Sequence, residues 1–190
     1  PIKPRRVAKI LEQVLESLRE AHAHDLLHGD LKPANIMLYE HLGETDQVKL
    51  LDFGIAKLLG QSQKEEREAQ DLTAADSLIG TPRYMSPEQI RGTEVGPAAD
   101  IYSLGLVMYE LLVGEKAIKS DDSIEILSRH LDDDPIQLPE DVSVHSELRA
   151  IIDRMLTKVK DARYGSTEAV LEDVRALDSI EGDLSGEFED

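Results

Sequence analysis

Residues 28–35 read HGDLKPAN, and residues 52–54 read DFG. The two stretches put Asp30 and Asn35 in one polar loop and Asp52 in the next. Carboxylate and amide oxygens are hard ligands of the kind that Mg²⁺ prefers, and a carboxylate can also accept a proton. The set therefore provides what phosphoryl transfer from Mg-ATP requires, which is one carboxylate for the acceptor hydroxyl and two oxygen ligands for magnesium.

The segments around these two motifs predict a helix and a small hairpin. Apolar residues recur every three or four positions from Arg5 to His24, which predicts one amphipathic helix. Apolar runs at 36–38 and 48–51 predict two short strands, and residues 41–47 predict the turn between them because they include glycine and aspartate. The two motifs would then lie at the ends of a β-hairpin.

The rest of the chain predicts a long loop followed by helices. Residues 60–76 are polar, charged and without period, and residues 80–88 predict a constrained turn. A strongly apolar helix begins near Pro97 and stops at Gly114. Further helical patterns occupy residues 123–131, 146–156 and 166–177. This order indicates a mainly α domain with a small β-hairpin over residues 1–177, and the acidic stretch 178–190 predicts a tail or linker.

Composition excludes several classes of function. The 190 residues include 39 acidic and 21 basic side chains, for a net charge of −18, which repels phosphate backbones and argues against a nucleic-acid partner. The absence of cysteine excludes disulfides and thiolate zinc sites and fits a reducing, cytoplasmic location. The longest apolar stretch is interrupted by Glu110 and is too short to span a bilayer, so no membrane segment is expected in this chain. A longer protein that contains this chain could still be tethered to a membrane.

Taken singly, Asp30 and Asn35 would be interpreted as a turn former and a helix cap. Seven residues, however, share one order and spacing that is highly specific as a set: His28, Asp30, Lys32, Asn35, Asp52, Gly54 and Glu88. On these residues the chain resembles the C-terminal lobe of a eukaryotic-type (Hanks-type) Ser/Thr protein kinase of the bacterial kind, from about Arg5 to Leu177. The resemblance implies a protein-kinase-like C-lobe without its N-lobe. It also implies transfer of the ATP γ-phosphoryl group to Ser or Thr of a protein substrate.

The resemblance implies roles at the reacting groups. Asp30 would orient the acceptor hydroxyl and accept its proton, and Lys32 would meet the γ-phosphate and so contribute to both catalysis and nucleotide binding. Asn35 and Asp52 would hold Mg²⁺. Thr81, in the substrate-docking loop, would donate its hydroxyl to the active site. ATP and Mg²⁺ are the implied cofactors.

The resemblance also implies a supporting scaffold. His28 would be a packed, hydrogen-bonded residue, Phe53 would pack beneath the site, and Gly54 would allow the turn that aims Asp52. Glu88, in the segment Ser-Pro-Glu, would form a buried ion pair with Arg163. Asp100, in the first turn of the apolar helix, would anchor the backbone of the loop that carries Asp30.

Two departures from the family pattern affect the interpretation. Gly29 stands where the family often has an arginine that pairs with a phosphorylated loop, so control by phosphorylation at Thr73, Ser77 or another loop residue is in doubt. Lys57 or Arg83 could replace that arginine. In addition, no Gly-x-Gly-x-x-Gly and no Val-Ala-Ile-Lys-like strand occur in the chain. The nucleotide lid and its lysine are therefore missing.

The missing lid and the lack of an initial methionine predict a fragment of a longer kinase that is inactive or nearly so by itself. The alternative from a different class is a truncated, non-catalytic kinase-like module that acts by binding a partner. A small-molecule phosphotransferase is a third possibility. It is disfavoured because residues 80–82 and 86–88 form a segment typical of docking to protein substrates.

Overall fold

A computed structural model of the chain describes residues 1–53 and 82–184, with side chains through Leu177. The described helices, in chain order, are α1 (Pro4–Ala23), α2 (Pro87–Arg91), α3 (Pro97–Val113), α4 (Ser123–Leu131), α5 (Ser146–Met155) and α6 (Thr167–Leu184). Strands β1 (Ile36–His41) and β2 (Glu44–Leu50) form an antiparallel pair between α1 and α2. Short 3₁₀ turns occupy Pro33–Asn35, Pro82–Tyr84 and Lys160–Ala162. The prediction of a mainly helical fold with one small hairpin is confirmed.

Helix α3 is the centre of the core. Thirteen of its 17 residues are buried, as expected for a helix that is apolar on every side and has neighbours around it. Helix α5 approaches α3 closely at Gly105, where a Cβ atom would lie 3.1 Å from Cβ of Met155. Gly114 ends the helix in the left-handed conformation, with φ of +80°, as the sequence predicts.

Helix α1 connects the core to the rest of the fold. Its apolar face buries six residues against the core: Val7, Ile10, Leu11, Val14, Leu15 and Leu18. Its polar side makes ion pairs with α6, where Arg175 Nε lies 3.0 Å from Glu12 and Arg175 Nη2 also contacts Glu16. The middle of α1 is therefore held against α6.

The hairpin is longer than its apolar residues predict. Both strands extend through polar residues to a two-residue turn at Leu42 and Gly43, whose φ values are +51° and +84°. Polar contacts with α1 hold this extension, because Arg6 donates to Asp46 at 2.9 and 2.7 Å and Gln13 donates to the Asp46 carbonyl at 2.8 Å. The predicted turn at 41–47 is wrong for this reason: hydrogen bonds, rather than apolar side chains, define the end of the hairpin.

Two other boundaries differ from the sequence prediction. The sequence predicts a constrained turn over residues 80–88, but Ser86 and Gln89 form a capping box that starts helix α2 at Pro87, inside that range. Helix α6 continues to Leu184, seven positions past the predicted end at 177, and residues 178–184 contain no proline to stop it. The predicted loop at 60–76 lies outside the described residues. Among the described residues, no helix is long and apolar enough to cross a membrane.

Candidate active site

The loop between α1 and β1 is held against the second motif by His28. This side chain is buried, its Nε2 donates to the carbonyl of Leu51 at 2.9 Å, and its Nδ1 accepts the backbone N–H of Asp30 at 3.3 Å. These contacts require the tautomer with its proton on Nε2. The ring of Phe53 packs 4.9 Å from the His28 ring. One side chain therefore fixes the distance between the two motifs.

Asp100 holds the same loop from the opposite side. It lies in the first turn of α3 with 1% of its surface exposed, and its two oxygens accept the backbone N–H groups of His28 at 2.9 Å and Gly29 at 2.8 Å. Hydrogen bonds to an ionised acceptor are stronger than neutral ones. A buried carboxylate with this set of donors also avoids the cost of an uncompensated charge. The N-terminal end of α3 thus fixes the loop backbone directly before Asp30.

Asp30 and Lys32 form a close pair at the surface of this rigid frame. Lys32 Nζ lies 2.6 Å from Asp30 Oδ2, and the two side chains are 24% and 29% exposed. Asn35 is buried and donates from Nδ2 to the Asp30 carbonyl at 2.8 Å. The arrangement places a proton acceptor and a cation side by side and open to solvent, which suits reaction with a bound molecule.

Asn35 and Asp52 are positioned as candidate magnesium ligands. The backbone N–H of Leu51 donates to the Asn35 carbonyl at 2.9 Å, so Asp52 follows directly from a residue tied to Asn35. Asp52 is exposed and has a left-handed φ of +59°. Asn35 uses its amide nitrogen for Asp30, so its amide oxygen is the atom that could bind a cation.

The donor set of Asn35 and Asp52 fits Mg²⁺, and it fits less well a metal ion whose ligands all come from the protein. The described residues contain no group of three or more His, Cys, Asp or Glu side chains that could hold an ion. Mg²⁺ is usually bound by one or two protein oxygens together with substrate phosphates and water. One amide oxygen and one carboxylate match that pattern.

Glu88 and Arg163 form the buried ion pair expected from the sequence. Arg163 Nη1 lies 2.8 Å from Glu88 Oε1, and the side chains are 0% and 5% exposed for Arg163 and Glu88. Arg163 also donates to the carbonyls of Ala98 and Thr157, and its guanidinium lies 4.8 Å from the centre of the Tyr102 ring. The pair therefore connects α2, the start of α3 and the loop before α6.

Two residues contact the site although the sequence analysis did not select them. His22 Nε2 lies 2.8 Å from Asp100 Oδ2, and Gln89 Nε2 donates to the Gly29 carbonyl at 2.8 Å. His22 follows Leu18 by four positions on the buried face of α1, and Gln89 completes the Ser-x-x-Gln capping pattern. These local signals place His22 on the buried face of α1 and Gln89 at the cap of α2. They do not show which distant residue each side chain contacts.

Arg83, one of the two residues that could replace the arginine missing at position 29, makes its hydrogen bonds at another part of the fold. Its guanidinium donates to the carbonyls of Ile118 and Ser120 at 2.5 and 2.6 Å, which fixes the segment after Thr81 against the loop before α4. Four residues from the sequence analysis lie outside the described residues: Gly54, Lys57, Thr73 and Ser77. Thr81 also lies there, and its catalytic role stays a prediction.

Comparison with known proteins identifies the class to which this chain belongs. Residues 1–174 match the protein kinase domain, and the chain is a member of that family. It is 36% identical over 181 residues to the serine/threonine-protein kinase pkn3 of Myxococcus xanthus, covering 94% of this chain and 32% of pkn3. It is 37% identical over 165 residues to the serine/threonine-protein kinase PknB of Mycolicibacterium smegmatis, covering 86% of this chain and 25% of PknB.

The PknB of Mycobacterium leprae is 36% identical over 167 residues, which is 86% of this chain and 25% of that kinase. The chain thus spans between a quarter and a third of the length of these curated relatives. The expected kinship with bacterial Hanks-type Ser/Thr kinases is confirmed by these matches.

Proposed function

We propose that this chain carries the catalytic-loop half of an ATP- and Mg²⁺-dependent protein Ser/Thr kinase, that is, its C-terminal lobe. The observation that supports this most directly is the Asp30–Lys32 pair. It is open to solvent, yet it stands on a backbone held by buried Asp100 and His28. A rigid frame beneath exposed reactive groups is the arrangement that catalysis by positioning and electrostatics requires.

In the proposed reaction Asp30 accepts a hydrogen bond from the Ser or Thr hydroxyl of a protein substrate and takes its proton as the new O–P bond forms. The bond between the γ-phosphorus and the β–γ bridging oxygen of ATP breaks in the same step, and ADP leaves with that oxygen. Lys32 then turns its ammonium from Asp30 to the γ-phosphoryl oxygens, where negative charge moves during transfer. Asn35 and Asp52 would hold Mg²⁺, which when bound neutralises phosphate charge. Thr81 would donate its hydroxyl to this site.

These 190 residues do not include the nucleotide lid of a protein kinase, since they contain no Gly-x-Gly-x-x-Gly. We therefore expect the chain by itself to transfer phosphate poorly or not at all. We expect the protein made from its complete reading frame to be active. A protein that binds a partner without catalysis is the alternative.

The experiment uses the protein expressed from its complete reading frame, with labelled Mg-ATP and a generic basic protein as acceptor. Asp30→Asn and Asp52→Ala should each lower the transfer rate on the order of 10²-fold or more. Asp133→Asn is the matched control, because Asp133 is exposed and far from the site in sequence. Near-normal turnover in D30N would show that Asp30 is not the acceptor residue. An inactive wild-type protein would favour the partner-binding alternative, and robust transfer by the 190-residue chain would contradict the need for a nucleotide lid.

A further inference from the structure

The side chain of Gln89 uses both of its polar atoms in different parts of the fold. Its Oε1 accepts the backbone N–H of Ser86 at 2.8 Å, and the Ser86 hydroxyl accepts the backbone N–H of Gln89 at 3.3 Å. Its Nε2 donates to the carbonyl of Gly29 at 2.8 Å. Gln89 therefore starts helix α2 with one atom and reaches the loop of Asp30, 60 positions earlier in the chain, with the other.

The bond to Gly29 acts on the peptide unit that leads into Asp30. In that unit the carbonyl oxygen is held by Gln89, and the N–H of Asp30 is held by His28 at 3.3 Å. The preceding N–H, that of Gly29, is held by Asp100. Gly29 itself has a φ of +74° and no side chain. Among the residues that the structure describes, no atom beyond its two chain neighbours lies within 4 Å of the place where its Cβ would be. Hydrogen bonds to the backbone, rather than side-chain packing, thus fix the direction in which the Asp30 side chain points from the loop.

The capping box does not by itself explain a glutamine at position 89. Its third residue only has to accept a hydrogen bond from the backbone N–H of the cap, and glutamate does this as well as glutamine. The bond to the Gly29 carbonyl needs a donor, which only the glutamine amide supplies. The amide nitrogen is therefore the atom whose role lies outside α2.

We propose that Gln89 is a positioning residue that couples the substrate-docking segment, residues 82–91, to the orientation of Asp30. This inference rests on the proposed function, in which Asp30 receives the acceptor hydroxyl. Both partners of the Gln89–Gly29 bond are uncharged, so the coupling does not depend on a phosphate group or on salt. A displacement of α2 would pull on the Gly29 carbonyl and turn the peptide that aims Asp30.

The first test measures the bond itself in the 190-residue chain by NMR. Gln89→Glu keeps the acceptor for Ser86 and removes the donor to Gly29. Gln13→Glu is the matched control, because Gln13 also accepts a backbone N–H, that of Val48 at 3.0 Å, and donates to a carbonyl, that of Asp46 at 2.8 Å, but does so at the hairpin. We expect Q89E to shift the Gly29 carbonyl ¹³C and Asp30 amide ¹⁵N resonances and to speed hydrogen exchange at the Asp30 amide by 10-fold or more. Q13E should leave these three signals close to wild type. Should Q89E lose its native spectrum, the uncharged variant Gln89→Met decides in its place.

The second test measures phosphoryl transfer by the protein made from its complete reading frame. Q89E should lower kcat by 10-fold or more with the KM for ATP within twofold of wild type, while Q13E should leave kcat within about threefold. Unchanged Gly29 and Asp30 signals, or a normal kcat in Q89E with an active wild type, would overturn the positioning role and leave the proposed function standing. An inactive wild type would overturn the proposed function and this inference together.

Discussion

Two ion pairs of this molecule have the same chemistry and opposite surroundings. Arg163 and Glu88 are 0% and 5% exposed, and Arg163 also donates to the neighbouring carbonyl of Ala98. Lys32 and Asp30, in contrast, are 24% and 29% exposed and face solvent. A buried pair holds structure, because removing one member leaves a charge without water or a partner. An exposed pair contributes little to stability and is free to exchange its partner. Burial therefore separates the ion pair that supports the fold from the one to which the proposed function assigns the reaction.

The largest expected effect comes from breaking the buried pair. Arg163→Ala should lower the free energy of unfolding by roughly 3–5 kcal/mol, because Glu88 is left charged and buried. Changing Glu88 to leucine and Arg163 to methionine together should be milder than either single change. Thermal and denaturant unfolding of wild type, E88L, R163M and the double variant measures the coupling energy between the two residues.

The matched control for this cycle is Arg129→Ala, which removes an arginine from an ion pair with Asp132 whose side chains are 36% and 38% exposed. Its cost should stay within about 1 kcal/mol. Strictly additive losses at Glu88 and Arg163 would mean that the two residues do not interact energetically.

A second buried group sharpens the comparison through pH. The neutral His130 ring donates from Nε2 to the Arg83 carbonyl (3.2 Å) and accepts the Tyr102 hydroxyl at Nδ1 (2.8 Å), and burial lowers the pKa of His130 from 6.5 to about 4. Between pH 4 and pH 6.5 the His130 ring is therefore protonated in the unfolded chain and neutral in the folded chain. The stability due to neutral His130 is complete above pH 6.5 and is lost as pH falls toward 4, by roughly 3 kcal/mol at most.

His130→Gln should flatten this part of the stability profile, since glutamine does not titrate. Unfolding by urea at several pH values between 4 and 7 gives the slope for both proteins. Equal slopes in wild type and H130Q would show that His130 does not hold its neutral form on folding.

The exposed pair gives the opposite result from the buried one. Lys32→Met should change the free energy of unfolding by no more than about 1 kcal/mol, because its charge is partly solvated. In the protein from the complete reading frame, the same change should lower phosphoryl transfer on the order of 10²-fold, because in the proposed function this lysine meets the γ-phosphate. Unfolding curves and initial rates, measured on one preparation, separate the two effects. A loss of stability as large as that of R163A would place Lys32 with the structural pair.

The smallest expected effect concerns phosphorylation near the exposed pair. Position 29 carries no arginine and Arg83 is bound to the carbonyls of Ile118 and Ser120, so we expect phosphate at Thr73 or Ser77 to alter activity only weakly. Initial rates of the complete protein before and after phosphatase treatment, with the bare loop verified by mass, test this. A fall of about 10²-fold that rephosphorylation restores would contradict it. Replacement of Thr81 should still lower activity, through loss of its own hydroxyl.

The sequence predicted the elements best where apolar period and stop signals agree, as in α3 with its following Gly114. It underestimated the hairpin because Arg6 and Gln13 of α1, which are distant in sequence, hold its polar end. The candidate site residues could be selected from their order alone. His22 and Gln89 could not, because each side chain acts through a residue 60 or more positions away and nothing local encodes such a contact.

The open space around Gly29 bears on how readily this loop could change. In the described part of the chain, a Cβ at this position would meet no atom within 4 Å beyond its two chain neighbours, so these residues leave volume for one. The φ of +74° does oppose it, at a cost of roughly 1–2 kcal/mol for a residue with a Cβ. That cost is within reach of a single compensating contact, such as an arginine side chain with an anionic partner. A change of one codon, from glycine to arginine at position 29, would thus supply a residue for phosphate control of this loop, at a position where the described residues leave room for it.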